Sequence, residues 1–180
     1  CIDVDHPIGG NTNYTAKLYS SYEPLPAGLL EHPENLDLIN WIVNQDFVGK
    51  PAIDPLTSTS LGTFTYGDVQ RAIWALIDDN QSTAGLGTWS QARVSVITAA
   101  ALANGEGFVP SYTQYVVIII VPNPTGVIQV ITAGNATLQR LGIPAQTRQE
   151  TIWAGAKRST AGWDFPFSGR NAATYVKCPL

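Results

Sequence analysis

The sequence predicts an α+β fold, an antiparallel β-sandwich or barrel carrying a helical insertion of about three helices. Three observations predict it. Residues 33–104 repeat apolar side chains with helical spacing between cap-like residues. The segments before and after are β-branched or aromatic runs punctuated by Pro and Gly. The whole is 180 residues, the size of one domain spanning residues 1–180, able to bury a core without metals or a dense disulfide network.

Residues 1–10 alternate briefly and stop at Pro7, Gly9 and Gly10, which predicts a first strand leading into a loop. Residues 13–22, rich in Thr and Tyr, predict a second strand. A first helix opens at Pro33, with Glu34 and Asp37 at its positive end, and Leu36, Ile39, Asn40, Val43 and Phe47 trace one face. Gly49, Lys50 and Pro51 stop it. Residues 52–63, full of Pro, Thr, Ser and Gly, predict a loop suited to a mobile flap. A central helix covers 66–79, with Val69, Ala72, Ile73, Leu76 and Ile77 on one face, Thr65 or Asp68 as its cap and Asp78 at its exit. A third helix runs from Ser90 to the stop at Asn104 and Gly105. Beyond it, residues 115–121, 127–132, 149–154 and 172–177 predict the strands of a C-terminal β half.

Apolar residues make up 44% of the chain and charged ones 13%, with a net charge of −4 and scattered basic residues. Nucleic acid is therefore not an expected partner. The apolar run 115–121 is too short to span a bilayer, so no membrane insertion is expected. The chain begins at Cys1 and contains no Met, and reads as a mature or excised piece of a longer precursor. Low charge, abundant Thr, Ser, Asn and Gly, and one Cys near each end predict a secreted or cell-surface module. Asn13, Asn80 and Asn135 open tripeptides with the form of glycosylation sequons.

Little in the chain speaks for turnover chemistry. His6 and His32 both neighbour a Pro, and no nucleophile elbow, phosphate loop or dinucleotide fingerprint is present. Asp3, Asp5 and His6 offer oxygen and imidazole within four residues, but no second ligand cluster accompanies them. No metal and no cofactor are expected, and a hydrolase remains only a third class of reading. The central helix is the more informative stretch. Gln70 sits one turn before Trp74, among core positions, where a plain amphipathic helix needs neither.

Val69-Gln70-Arg71-Ala72-Ile73-Trp74 resembles the Thr-Gln-x-Ala-Ile-Trp motif of the thioester domains of bacterial cell-surface adhesins. Gln70, Ala72, Ile73 and Trp74 match, and Val69 stands where that family has Thr. The family also has an early Cys followed by a hydrophobic and an acidic or Trp residue, then a Pro; Cys1-Ile2-Asp3 and Pro7 are similar. The resemblance implies a helical insertion within a β fold and an adhesion module, not an enzyme. It implies that the Cys1 thiol and a Gln carboxamide condense, with loss of ammonia, to a thioester open to attack by a host or surface amine. The Gln it implies lies in a later strand; Gln149 in Arg148-Gln149-Glu150-Thr151-Ile152-Trp153 is favoured over Gln129. A second trait of such adhesins, a Lys–Asn isopeptide bond, would fall on Lys17 or Lys177 with Asn171.

The competing reading pairs Cys1 with Cys178, since two cysteines of an extracellular chain usually bridge. A bridge of that span would stabilise by about 4–5 kcal/mol and would consume the thiol. The chain would then be a structural or assembly module of a surface layer or filament, binding copies of itself. Tyr14, Tyr19, Tyr22 and Trp163 would serve packing or glycan contact. Under either reading the expected partner is a surface protein or glycan, or another copy of the chain.

Overall fold

The computed structural model describes residues 1–6, 14–78, 82, 85–111 and 114–124 in full, and the backbone of strand residues 12–13, 131–134, 149–154, 157–159, 162–169 and 172–178. Among the described residues it is a mixed α/β structure with three α-helices and small antiparallel sheets. β1 (Thr12–Ser20) pairs with β4 (Val117–Pro122), so everything between them is an excursion from two neighbouring strands. That excursion holds a 3-10 turn (Pro33–Asn35), α1 (Leu36–Val43), the hairpin β2 (Pro51–Ile53) and β3 (Ser60–Thr63), α2 (Tyr66–Ile77) and α3 (Gln91–Asn104).

Around that strand pair the first sheet has the order β5-β4-β1-β6, with β5 at Ile131–Gly134 and β6 at Gln149–Ala154. A second sheet orders β7 (Lys157–Ser159), β8 (Gly162–Gly169) and β9 (Ala172–Cys178). β8 runs beside β6, and β9 beside β5. The first sheet ends on β5 and β6, which do not pair, so no barrel closes among the described strands.

β4 is buried along its whole length, as a continuous Val/Ile run predicts for a strand covered on both faces. Val117, Ile119 and Val121 join the helical core, and Tyr19 of β1, opposite Ile119, packs on the same cluster. Ile118 and Ile120 face the other way with Ala16 and Leu18 of β1, and all four are buried. On the helical side Leu36, Leu38, Ile39 and Ile42 of α1 meet Ala72, Ile73, Leu76 and Ile77 of α2 and Val94, Ile97 and Ala101 of α3. One polar residue ties the layers: fully buried Asn40 donates to Ser21 Oγ (2.8 Å) and the Leu36 carbonyl (3.0 Å) and accepts from the Val117 N–H (2.9 Å). It satisfies the end of β4 and lies on the face that helical spacing assigned to α1.

The expected flap at 52–63 is instead the β2–β3 hairpin. Ala52 is fully buried, and reciprocal bonds between Gly49 N–H and Phe64 O (2.9 Å) and between Phe64 N–H and Lys50 O (3.0 Å) extend its ladder. Phe47 and Phe64 meet edge to face at its base, 5.2 Å apart. The expected strand at the start of the chain is also absent. Residues 1–6 pair with no strand, because side chains of α2 and its exit satisfy their backbone. The continuation at 7–10 lies outside the described residues. Of the aromatics expected at the surface, Tyr14 and Tyr19 are half-buried and Tyr22 is exposed, its hydroxyl donating to the Phe108 carbonyl at 2.9 Å. The Trp163 side chain lies outside the described residues.

Candidate functional site

The site is built on α2, which is buried nearly all round. Thr65 caps it in extended conformation, in a reciprocal box with Asp68. The Asp68 carboxylate accepts from Thr65 N–H (2.7 Å), Ser90 N–H (2.8 Å) and Arg93 Nε (2.6 Å), so one fully buried charge joins the start of α2 to the start of α3. Burial alone would raise its pKa. The Arg93 guanidinium and the N–H groups of Thr65 and Ser90 outweigh burial and hold it below the usual carboxylate range.

Arg71, fully buried, ties Ser82 and residues 85–89 to the helix start. It donates to the carbonyls of Ser82 (3.0 Å), Gly67 (3.2 Å) and Gly85 (3.3 Å), and its guanidinium carbon stands 4.3 Å from the centre of the Trp89 ring. Position 67 must be glycine, since a Cβ there would stand 2.9 Å from the Leu86 carbonyl. Arg71→Lys keeps the charge but loses the planar fork. It is expected to lower the urea-unfolding free energy by about 1–2 kcal/mol and to speed amide exchange in 85–90.

The motif residues divide into two groups. Ala72 and Ile73 are core, packed within the helical cluster. Gln70 turns toward the N-terminal segment, and Trp74 is buried, 4% exposed. The Gln70 carboxamide, 3% exposed, donates from Nε2 to the Cys1 carbonyl (2.6 Å) and accepts at Oε1 from the Cys1 nitrogen (3.3 Å). The Tyr66 hydroxyl, one turn earlier, donates to the same Oε1 at 3.4 Å. Two turns beyond Gln70, the Asp78 carboxylate accepts from Val4 N–H at 2.8 Å. Residues 1–4 are thus held at positions 70 and 78 of this stripe, with Ile2 fully buried.

Cys1 is 3% exposed and disulfide-bonded. The residues expected as its covalent partner are Gln149, opposite Lys17 at the first position of β6, and Cys178, at the last position of β9. Their side chains lie outside the described residues, as do Gln129 and the sequon residues Asn80 and Asn135. Asn13 sits in β1 opposite Trp153, and its side chain too is outside them. Lys17 is exposed, which removes the buried surroundings an isopeptide bond needs; Asn171 and the Lys177 side chain lie outside the described residues.

The remaining candidates form local contacts. Asp3 accepts from the N–H groups of Asp5 (2.9 Å) and His6 (3.2 Å) and meets His6 Nδ1 at 2.8 Å, a turn that engages the Asp3 carboxylate and one His6 ring nitrogen. His32 meets Glu34 in a similar surface contact. Asp5, Glu31 and Asp78 bring carboxylate oxygens within 4.8 Å of one another, two of them on exposed residues.

Tyr66, Asp78, Arg71 and Arg93 do not emerge as site residues from the sequence. The first two carry a usable signal, since they stand at i−4 and i+8 from Gln70 on the same helical stripe. Arg71 and Arg93 carry none, because their partners are backbone carbonyls and a carboxylate distant in sequence. No helix among the described residues is long and apolar enough to cross a membrane. Comparison with protein-family models, with curated proteins and with solved structures finds no match.

Proposed function

We propose that this chain is an extracellular cell-surface adhesion module, resembling thioester domains, that captures an amine of a host or surface partner through a Cys1–Gln149 thioester. It is a single-use covalent binder, not a turnover enzyme, and its two sheets form the layers of a sandwich carrying the helical excursion. The observation that carries the reading is the clamp between Gln70 and Cys1. The two stretches that resemble the thioester family, 69 residues apart in sequence, meet in a buried two-point contact. A carboxamide suits this role because it donates to a carbonyl and accepts from an N–H at once, as a neighbouring strand would. It holds the residue that bears the reactive sulfur without taking part in the chemistry. A thioester carbonyl is a stronger electrophile than an amide and thiolate is a good leaving group, so an amine replaces sulfur and leaves a stable amide.

A second reading is favoured by a specific observation. Cys1 is disulfide-bonded, and the chain's other cysteine is Cys178. A Cys1–Cys178 disulfide would make the chain a structural module of a surface layer or filament, with copies of itself as partners. Intact mass of the unreduced protein decides between them. A thioester lowers the sequence mass by about 17 Da through loss of ammonia, and methylamine then adds and abolishes the deficit. A disulfide lowers it by about 2 Da and is indifferent to methylamine. The larger deficit would establish covalent capture; the smaller one, which the disulfide-bonded Cys1 favours, would replace it with assembly.

A further inference from the structure

We propose that the exposed face around Tyr22, Phe108 and Val109 is one half of a head-to-tail contact, docking against the basic C-terminal strands of a second copy of the chain. The inference rests on the assembly reading above and supplies its contact surface. Tyr22 is 46% exposed and Val109 71%, and half-buried Phe108 adjoins both. Aromatic and aliphatic side chains left this open, side by side, are what the centre of an interface uses as anchors.

The face is fixed in place by its own hydrogen bonds. The Tyr22 hydroxyl donates to the Phe108 carbonyl at 2.9 Å, and the Asp37 carboxylate accepts from the N–H groups of Gly107 and Leu38, each at 2.7 Å. Asp37 is near enough to act on the phenol: partial burial, and then the charge of Asp37, push Tyr22 up to about 12. Anchors held before contact give up little conformational entropy when a partner arrives.

Charge selects the occupant. Residues 18–49 and 94–139, which build this face, contain no Lys or Arg, and they bring Glu23, Asp37 and Glu106 to its neighbourhood. Apolar anchors rimmed by negative charge alone suit a cationic partner. The chain supplies one itself. Beyond residue 139 it holds six of its ten basic residues and only two of its fourteen acidic ones. Lys157 and Arg158 stand on β7, the edge strand of the second sheet, and Lys177 of β9 shares with Lys157 a row that runs through Asp164. Basic residues at a sheet edge deter pairing with a like-charged edge, but toward an acidic face they attract. Because the two surfaces differ, the contact is heterologous. Each copy offers one surface to the copy ahead and the other to the copy behind, and the row stays open unless its rotation closes a ring.

The test uses the full, unreduced chain in sedimentation velocity and light scattering. At low salt the average mass is expected to keep rising with concentration past the dimer. It should fall back to the monomer in about 1 M NaCl, where the screening length shrinks to about 3 Å. Glu106→Lys with Val109→Lys alters only exposed side chains and should raise the concentration needed for association about 10–100-fold. Lys157→Glu with Arg158→Glu should do the same from the other surface. Mixing the two variants is expected to restore association, since the reversed face meets a reversed strand and the unaltered face an unaltered one. Should either variant fail to fold, the salt dependence of the wild type decides. A wild type that stays monomeric at every concentration overturns the assembly reading and this inference with it. An assembly that stops at the dimer, or that ignores salt and both variants, leaves the assembly reading standing and overturns this contact alone.

Discussion

Asp68→Asn is expected to lower the unfolding free energy by about 3–5 kcal/mol near neutral pH, the cost of removing one partner of a buried ion pair. The carboxylate is fully buried and the Arg93 side chain is only 14% exposed, so the freed guanidinium would find little water. An asparagine could still accept one N–H at the cap, and the loss should therefore fall toward the lower end of that range. Urea unfolding measures it. The sign with pH follows from the depressed carboxyl of Asp68. Its stabilisation is complete above the unfolded-state value of about 3.9 and disappears as pH falls through the lower folded-state value. Wild type and variant should therefore differ fully at pH 5–7 and converge only below about pH 4. A gap that persisted undiminished at pH 2 would mean that shape, not charge, makes Asp68 matter.

The three helices are legible in the sequence because their signals are local. Pro33 opens the first turn, Thr65 and Asp68 form a box three residues apart, and Asn104-Gly105 stops α3. The strand run of 117–122 is equally plain, since an unbroken Val/Ile stretch has few other uses. Failures come where distant partners decide the conformation. The hairpin at 51–63 has the composition of a loop, yet buried Ala52 and the bonds between Phe64 and residues 49–50 zip it together. Residues 1–6 have the alternation of a strand, but Gln70 and Asp78 supply the backbone partners that a strand would have supplied.

The same contrast runs through the site. Gln70 and Trp74 are conspicuous as polar or amphipathic side chains among core positions, and a spacing of four puts them on one face. What spacing cannot show is that the face meets Cys1. That contact spans 69 residues and depends on the excursion between β1 and β4 returning α2 beneath the start of the chain. Arg71 is legible only as the unspecified position of a motif. Its function is to fold a loop over the helix start through backbone carbonyls, which any sequence provides.

Gln70→Leu should cost about 3 kcal/mol and also change the covalent state of Cys1. Leucine fits the space but makes no hydrogen bond, and two outcomes are open to the variant. If residues 1–4 stay docked, the Cys1 carbonyl and nitrogen both lose their Gln70 partner while buried, at about 1–3 kcal/mol each, offset in part by apolar burial of the leucine. If they release, Ile2 leaves a fully buried position, at about 1.5–3 kcal/mol. Both routes lead to a similar loss, and hydrogen exchange separates them, since release alone frees the Val4 amide from Asp78. The consequence for chemistry is the larger one. A near-attack geometry depends on where the sulfur is held, and a displacement of about 1 Å can cost on the order of 100-fold in rate. The variant should therefore show a much smaller fraction of molecules with the 17-Da deficit, whereas a disulfide would still form because it tolerates slow closure. A loss below about 1 kcal/mol with unchanged mass would mean that Gln70 does not hold Cys1 in solution, and the clamp could no longer support covalent capture.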